Sequence, residues 1–159
     1  MGRTLHKRLL SEKFDGPVQE AILNLWVTAS FVRGLYDGVF EDADLTMTQY
    51  NVLRILNGAH PEGYCRAEVA RRMLDRASDL TRLIDRLVRR GLVQRGRSER
   101  DGRHSVARIT PRGRQLLALT QPRVRAVEQA FAGRLTEDEA LELSRLCEKI
   151  YGEEVARDS

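Results

Sequence analysis

The sequence predicts a mainly α-helical fold with one small β-hairpin. Three observations carry that prediction. First, apolar residues recur at helical spacing through most of the chain, most clearly in Ser78–Gly91 (SDLTRLIDRLVRRG), where Leu80, Leu83, Ile84, Leu87 and Val88 fall at i, i+3, i+4, i+7 and i+8. Second, Leu92-Val93 and Val106–Ile109 are short strand-like runs separated by the polar, turn-forming segment Ser98–Arg103. Third, the charge is unevenly placed. Between Arg66 and Arg114 there are 15 arginines and 6 acids, a balance of +9, whereas the rest holds 12 basic and 17 acidic residues, a balance of −5. A basic block in an acidic frame is an electrostatic footprint for a polyanion.

Residues 1–16 read as a flexible or partner-draped arm ended by Gly16-Pro17. From Pro17 to about Phe40 the chain reads as a helix. Val18, Ile22, Leu25, Ala29, Val32, Tyr36 and Val39 form a heptad-like seam, and Leu23, Val27, Phe31 and Leu35 widen it. A helix apolar on two sides belongs between two neighbours, its own lobe and a second subunit. Trp26, at its polar edge, is either rim packing or the mouth of a ligand site. Thr46 and Gln49 then spell a capping box, with Leu45 and Tyr50 placed as a hydrophobic staple. The helix they open ends before the breaker GAHPEG. RAEVARRML (66–74) reads as a short helix with Ala67, Ala70, Met73 and Leu74 inward.

The helix of Ser78–Gly91 follows, with Ser78 as its expected N-cap, Asp79 at the positive end of its dipole and Gly91 as its stop. Behind the apolar stripe lies a front of Ser78, Thr81, Arg82, Arg86, Arg89 and Arg90. Arginine meets guanine bidentately and hydroxyls reach phosphates or base edges, so this front suits a DNA major groove. A short helix, a tight link and a basic amphipathic helix make a helix-turn-helix, and the hairpin attached to it is a wing whose tip arginines fit a minor groove. Thr110-Pro111 starts a long helix in which Pro122 predicts a kink or break, and Thr136 with Glu139 caps a terminal helix bearing Leu141, Leu143, Leu146 and Ile150.

The order of these pieces, TQYNVLRIL, DLTRLIDRL, GLV, RSERDGR and ITPRG, resembles the MarR family of bacterial and archaeal transcriptional regulators over about residues 17–152. The resemblance implies a winged helix-turn-helix lobe at about 45–110, flanked by dimerisation helices at about 17–42 and 111–156 within one domain, 17–159. It implies a homodimer, joined through about 17–30, 120–133 and 140–152, that binds double-stranded DNA at a near-palindromic operator, as a repressor in the first instance. It places Ser78, Thr81, Arg82 and Arg86 in the recognition helix and Arg100, Asp101 and Arg103 in the wing, with Asp101 orienting Arg103. The family's wing pattern has an aspartate where this chain has Ser98. The resemblance also implies release by a small aromatic or phenolic effector, for which Trp26, Arg33 and Tyr50 are the pocket candidates, on elements that should converge.

Other function classes find little footing. His6, His60 and His104 are scattered, without HExxH, Cys/His metal spacing or a Gly-rich phosphate loop, so the chain reads as no enzyme and as needing no metal or cofactor. The alternative, a winged-helix module that binds protein instead of DNA, calls for an apolar or acidic recognition face, and the face here is arginine and hydroxyl. No apolar run is long enough to span a membrane, and the N-terminus does not read as a signal peptide. Cys65 and Cys147 lack CxxC spacing and read as structural thiols of a reducing cytoplasm.

Overall fold

A computed structural model describes residues 3–10, 13–75, 79–97 and 105–157, with side chains as far as Gly152. The chain divides into two compact units, Met1–Thr120 and Gln121–Ser159. In order, the elements are α1 (Arg3–Leu9), α2 (Pro17–Glu41), α3 (Met47–Gly58), β1 (Tyr64–Cys65), α4 (Arg66–Arg72), α5 (Leu80–Arg89), β2 (Val93–Arg97), β3 (Ser105–Ile109), α6 (Pro111–Ala132) and α7 (Glu137–Arg157). No helix among the described residues is long and apolar enough to cross a membrane.

The mainly helical fold with a small hairpin is the one expected. Within the segment read as an arm, Arg3–Leu9 is helical, Leu5 is buried, and the rings of His6 and Phe14 stack at 4.2 Å. In α2 only Val39 and Phe40 are buried, while Val18, Ile22, Leu25, Trp26 and Phe31 stand exposed. Exposed residues thus come from both apolar sets of the helix, Val18, Ile22 and Leu25 from the seam and Phe31 from the set that widens it. The box at α3 forms in full, since Gln49 N donates to Thr46 Oγ1 at 3.2 Å and Thr46 N to Gln49 Oε1 at 3.0 Å. Leu45 and Tyr50 are both buried, and so are Val52, Leu53 and Leu56, the centre of the core.

The sheet has the order β1-β3-β2, antiparallel throughout. The hairpin pairs Val93 with Ile109 and Arg97 with Ser105. The third strand, Tyr64–Cys65, pairs with Ala107 and Val106 and goes beyond the expected hairpin. Helix α4 follows this strand directly. Val69 is fully buried and Met73 half-buried, whereas Ala67, Ala70 and Leu74 are exposed, which corrects the inward face read from the sequence. Cys65 N donates to Glu68 Oε2 at 2.8 Å, and this backbone bond holds the Glu68 carboxyl below its ordinary range. The link after α4 is anchored to α3, where Asn51 Oδ1 accepts from Leu74 N at 3.0 Å.

At α5 the N-cap is Asp79, not Ser78: its Oδ1 accepts from Arg82 N at 3.0 Å and the helix begins at Leu80. Ser78 lies outside the described residues. The C-terminus closes through Gly91 at φ 68, with Gly91 N donating to Val88 O at 2.9 Å and Leu92 N to Leu87 O at 3.0 Å. Thr110 locks the next junction. Its Oγ1 donates to Gly91 O at 2.7 Å and accepts from Gly113 N at 3.1 Å, while Thr110 N donates to Leu92 O at 3.0 Å. The helix α6 runs unbroken through Pro122, so the expected break does not occur. Two residues earlier, Thr120 Oγ1 donates to Leu116 O at 2.8 Å. At α7 the expected box is present, with Thr136 N on Glu139 Oε2 at 2.8 Å and Glu139 N on Thr136 Oγ1 at 3.3 Å.

The junction generates a test. A Cβ at Gly113 would lie 2.3 Å from Leu92 O and 2.7 Å from Ile109 Cγ1, whereas one at Gly58 meets nothing within 4 Å. Helix propensity favours alanine over glycine by about 1 kcal/mol, so the two helical glycines should respond with opposite signs. Gly113→Ala should lose about 1–3 kcal/mol, the range for overpacking, and Gly58→Ala should be neutral or stabilising. Urea unfolding of both variants checks this, and a stabilised Gly113→Ala contradicts the close approach.

Candidate nucleic-acid interface

Helix α5 turns one face into the core and the other to solvent. Leu80, Ile84 and Leu87 are buried, with Leu83 and Val88 half-buried beside them. Opposite lie Thr81, Arg82, Arg86 and Arg89, all exposed. Of the front expected from the sequence, Thr81, Arg82, Arg86 and Arg89 are therefore present, whereas Arg90 is half-buried and paired with the Asp44 carboxylate at 3.0 Å. Arg82 is the most clearly presented of these, with its side chain 81% exposed and its Nε on Asp79 Oδ2 at 2.9 Å. One carboxylate thus caps the helix and steadies the arginine, and the bond at Nε does not take up the two terminal nitrogens. Those are the atoms a bidentate contact with guanine uses.

The flanks of α5 face different neighbours. Thr81 and Ile84 line a small cavity of about 80 Å³ with Arg66 of α4 and with Arg95, Ser105 and Val106 of the sheet. Beside it Arg95 Nη2 meets Asp85 Oδ1 at 2.6 Å. This pair joins the helix to the first strand of the hairpin, so the direction in which the hairpin leaves is set from the helix. Both side chains are more than two-fifths exposed, and the bond orients far more than it stabilises. On the other flank Arg86 and Arg89 line a larger cleft with the turn between α2 and α3. Across the hairpin Arg108 Nη2 donates to Arg97 O at 3.0 Å.

Sequence reasoning passed over Asp85, Arg95 and Arg66. One signal for the first was available, an acid alone in the middle of a basic face. The wing residues Arg100, Asp101 and Arg103 lie outside the described residues. Of the three pocket candidates, Tyr50 is buried, with its ring 4.6 Å from that of Phe40, and its hydroxyl has no hydrogen-bond partner among the described residues. Trp26 and Arg33 are exposed on α2. Neither cavity named above takes in any of the three. No group of three or more His, Cys, Asp or Glu placed to hold a metal ion occurs among the described residues.

Comparison with known proteins agrees with this geometry. The MarR family model matches residues 43–104, from the turn before α3 to the hairpin. A MarR transcription factor from Planctomyces limnophilus, known from its crystal structure, is 40% identical, over 86% of this chain and 98% of that one, with a TM-score of 0.64. An HTH-type transcriptional repressor of Mycobacterium tuberculosis is 31% identical over 79% of this chain and 89% of its own length. The regulator PcaV of Streptomyces coelicolor, solved in complex with its natural ligand, is 29% identical over 79% of this chain and 89% of that one, with a TM-score of 0.64. A winged helix-turn-helix with an outward arginine face, matched along nearly the whole length of such relatives, identifies this chain as a DNA-binding transcriptional regulator of the MarR family.

Proposed function

We propose that the chain acts as a homodimeric repressor of a near-palindromic operator and is released from it by a small aromatic or phenolic effector. The observation that carries the DNA half is the face of Thr81, Arg82, Arg86 and Arg89, exposed on a helix whose opposite side is sealed into the core. In this reading Ser78, Thr81, Arg82 and Arg86 read bases and phosphates in the major groove. Arg100 and Arg103 enter the minor groove, and Asp101 orients Arg103. Repression is the activity named for the mycobacterial relative. Release by a ligand draws support from the natural ligand of PcaV and from the buried, unpartnered hydroxyl of Tyr50, a donor that an anion or phenol would satisfy. Such a ligand must bind the DNA-incompetent state more tightly, since equal affinity shifts nothing.

The dimer rests on uncovered apolar surface. Val18 is 72% exposed and Trp26 69% on α2, and Leu141 and Ile150 are 63% and 67% exposed on α7. Two-fold pairing covers such surface and places two recognition helices about one duplex turn apart. Light scattering at micromolar concentration should return twice the mass of the 18.1 kDa chain. A monomer contradicts the arrangement.

Roles within the basic face separate by their salt and sequence dependence. Arg82→Ala should cost about 1–3 kcal/mol on the operator and flatten discrimination at one base position per half-site. Arg103→Ala should weaken all sequences evenly and lower the salt slope by about one phosphate equivalent per wing. Asp85→Asn, which frees Arg95, should weaken operator and scrambled DNA alike and leave base preference intact. Isotherms on both duplexes at several salt concentrations check the set. Equal loss on both DNAs for Arg82→Ala, with relaxed base choice for Arg103→Ala, reverses the assignment.

A further inference from the structure

Two acids belong to α5, Asp79 at its N-cap and Asp85 in its middle. They are not equivalent. Asp85 is half-buried and turned to Arg95, so its charge is spent on the joint with the hairpin. Asp79 precedes Arg82 by three residues and Arg86 by seven, the spacing of one helical face. Its side chain is 45% exposed. Whatever surface Arg82 and Arg86 meet, the Asp79 carboxylate meets as well.

Capping alone does not call for that charge. Serine and asparagine cap a helix about as well as aspartate does. The helix dipole favours a carboxylate here in the free protein, but against a polyanion the same charge is repelled. It weakens binding to every duplex unless the groove offers it a proton.

The bonds Asp79 already makes decide what it can still do. Oδ1 accepts from Arg82 N at 3.0 Å, and Oδ2 pairs with Arg82 Nε at 2.9 Å. An ionised carboxylate has about four lone-pair sites, so about two stay open. Arg82 in turn keeps both terminal nitrogens for guanine O6 and N7. On the major-groove edges of the bases, only the exocyclic amines of cytosine and adenine donate. Adenine sets its N7 acceptor beside that amine and would turn it toward the carboxylate. Cytosine presents the amine without a neighbouring acceptor.

We propose that Asp79 is a specificity-determining residue, whose carboxylate accepts from N4 of a cytosine at or beside the base pair whose guanine Arg82 meets, and which repels duplexes that lack that cytosine. The proposal rests on Arg82 as the guanine contact, and the test separates the two residues.

The full-length protein first selects a duplex from a random pool. Wild type, Asp79→Ser, Asp79→Ala and Arg82→Ala are then titrated with that duplex, with its single-base variants and with a scrambled duplex. Asp79→Ser keeps a cap, and its melting temperature should stay near that of wild type. Its preference for one cytosine per half-site should fall by about fivefold or more. On scrambled DNA it should bind about two- to fivefold more tightly, since a repelled charge is gone. Asp79→Ala should show the same change in base choice together with a lower melting temperature. Arg82→Ala should lose the guanine at or next to that position.

Unchanged base choice in Asp79→Ser overturns the proposal, and so does weaker binding of that variant to scrambled DNA. A change seen only in Asp79→Ala leaves the residue a helix cap and nothing more. A loss confined to the guanine makes Asp79 a support of Arg82 and refutes the cytosine contact. If Asp79→Ser loses the cytosine while Arg82→Ala keeps the guanine, the reading of Arg82 fails and the Asp79 contact stands.

Discussion

The burial of Leu80, Ile84 and Leu87 against the core of the helical lobe is the constraint on which the rest depends. A helix of ten residues has no stability of its own in water, so α5 exists because its apolar stripe is sealed. Sealing that stripe decides everything else about the helix. With leucine and isoleucine facing in, Thr81, Arg82, Arg86 and Arg89 have no direction left but outward. The basic face is thus a consequence of packing, and its affinity for a polyanion follows from charge density that packing has lined up.

Position matters as much as exposure. At the start of α5, Asp79 joins capping to the placement of Arg82, two tasks for one carboxylate. In its middle, Asp85 reaches Arg95 and couples the helix to the hairpin. At its end, the glycine-closed turn passes the chain into β2, and the Thr110 hydroxyl fastens the return strand and the start of α6 to that same turn. Helix and hairpin are therefore held to each other at two points, in the middle of α5 and at its end. In the proposed mode, with helix and wing meeting the duplex together, that rigidity matters, because a loosely held wing would have to be ordered again at each encounter with DNA.

Much of this was legible in the residues. Thr46 with Gln49, Thr110 with Pro111, and Thr136 with Glu139 announce helix starts because capping is local chemistry at fixed spacing, and all three helices begin where those residues indicate. The face of α5 was legible for the same reason. What stayed hidden depends on distant partners. The two-residue strand Tyr64–Cys65 has no periodicity to read and exists only through its pairing with Val106 and Ala107. The inward face of α4 was misassigned because packing against distant elements, not the spacing of its alanines, selects Val69 as the buried residue. Ser78 and Asp79 are both good caps side by side, and the choice between them falls to where the helix begins. The ion pair of Asp85 with Arg95 joins residues ten apart on different elements, beyond any local pattern.

Amide chemical-shift mapping of the labelled protein during titration with a duplex that it selects from a random pool tests the central claim most directly. If the outward face of α5 reads DNA, the largest changes fall on the amides of Thr81, Arg82 and Arg86, with smaller ones along β2 and β3 and little on the exposed apolar surface of α7. Changes gathered on α2 and α7, with α5 silent, contradict the account.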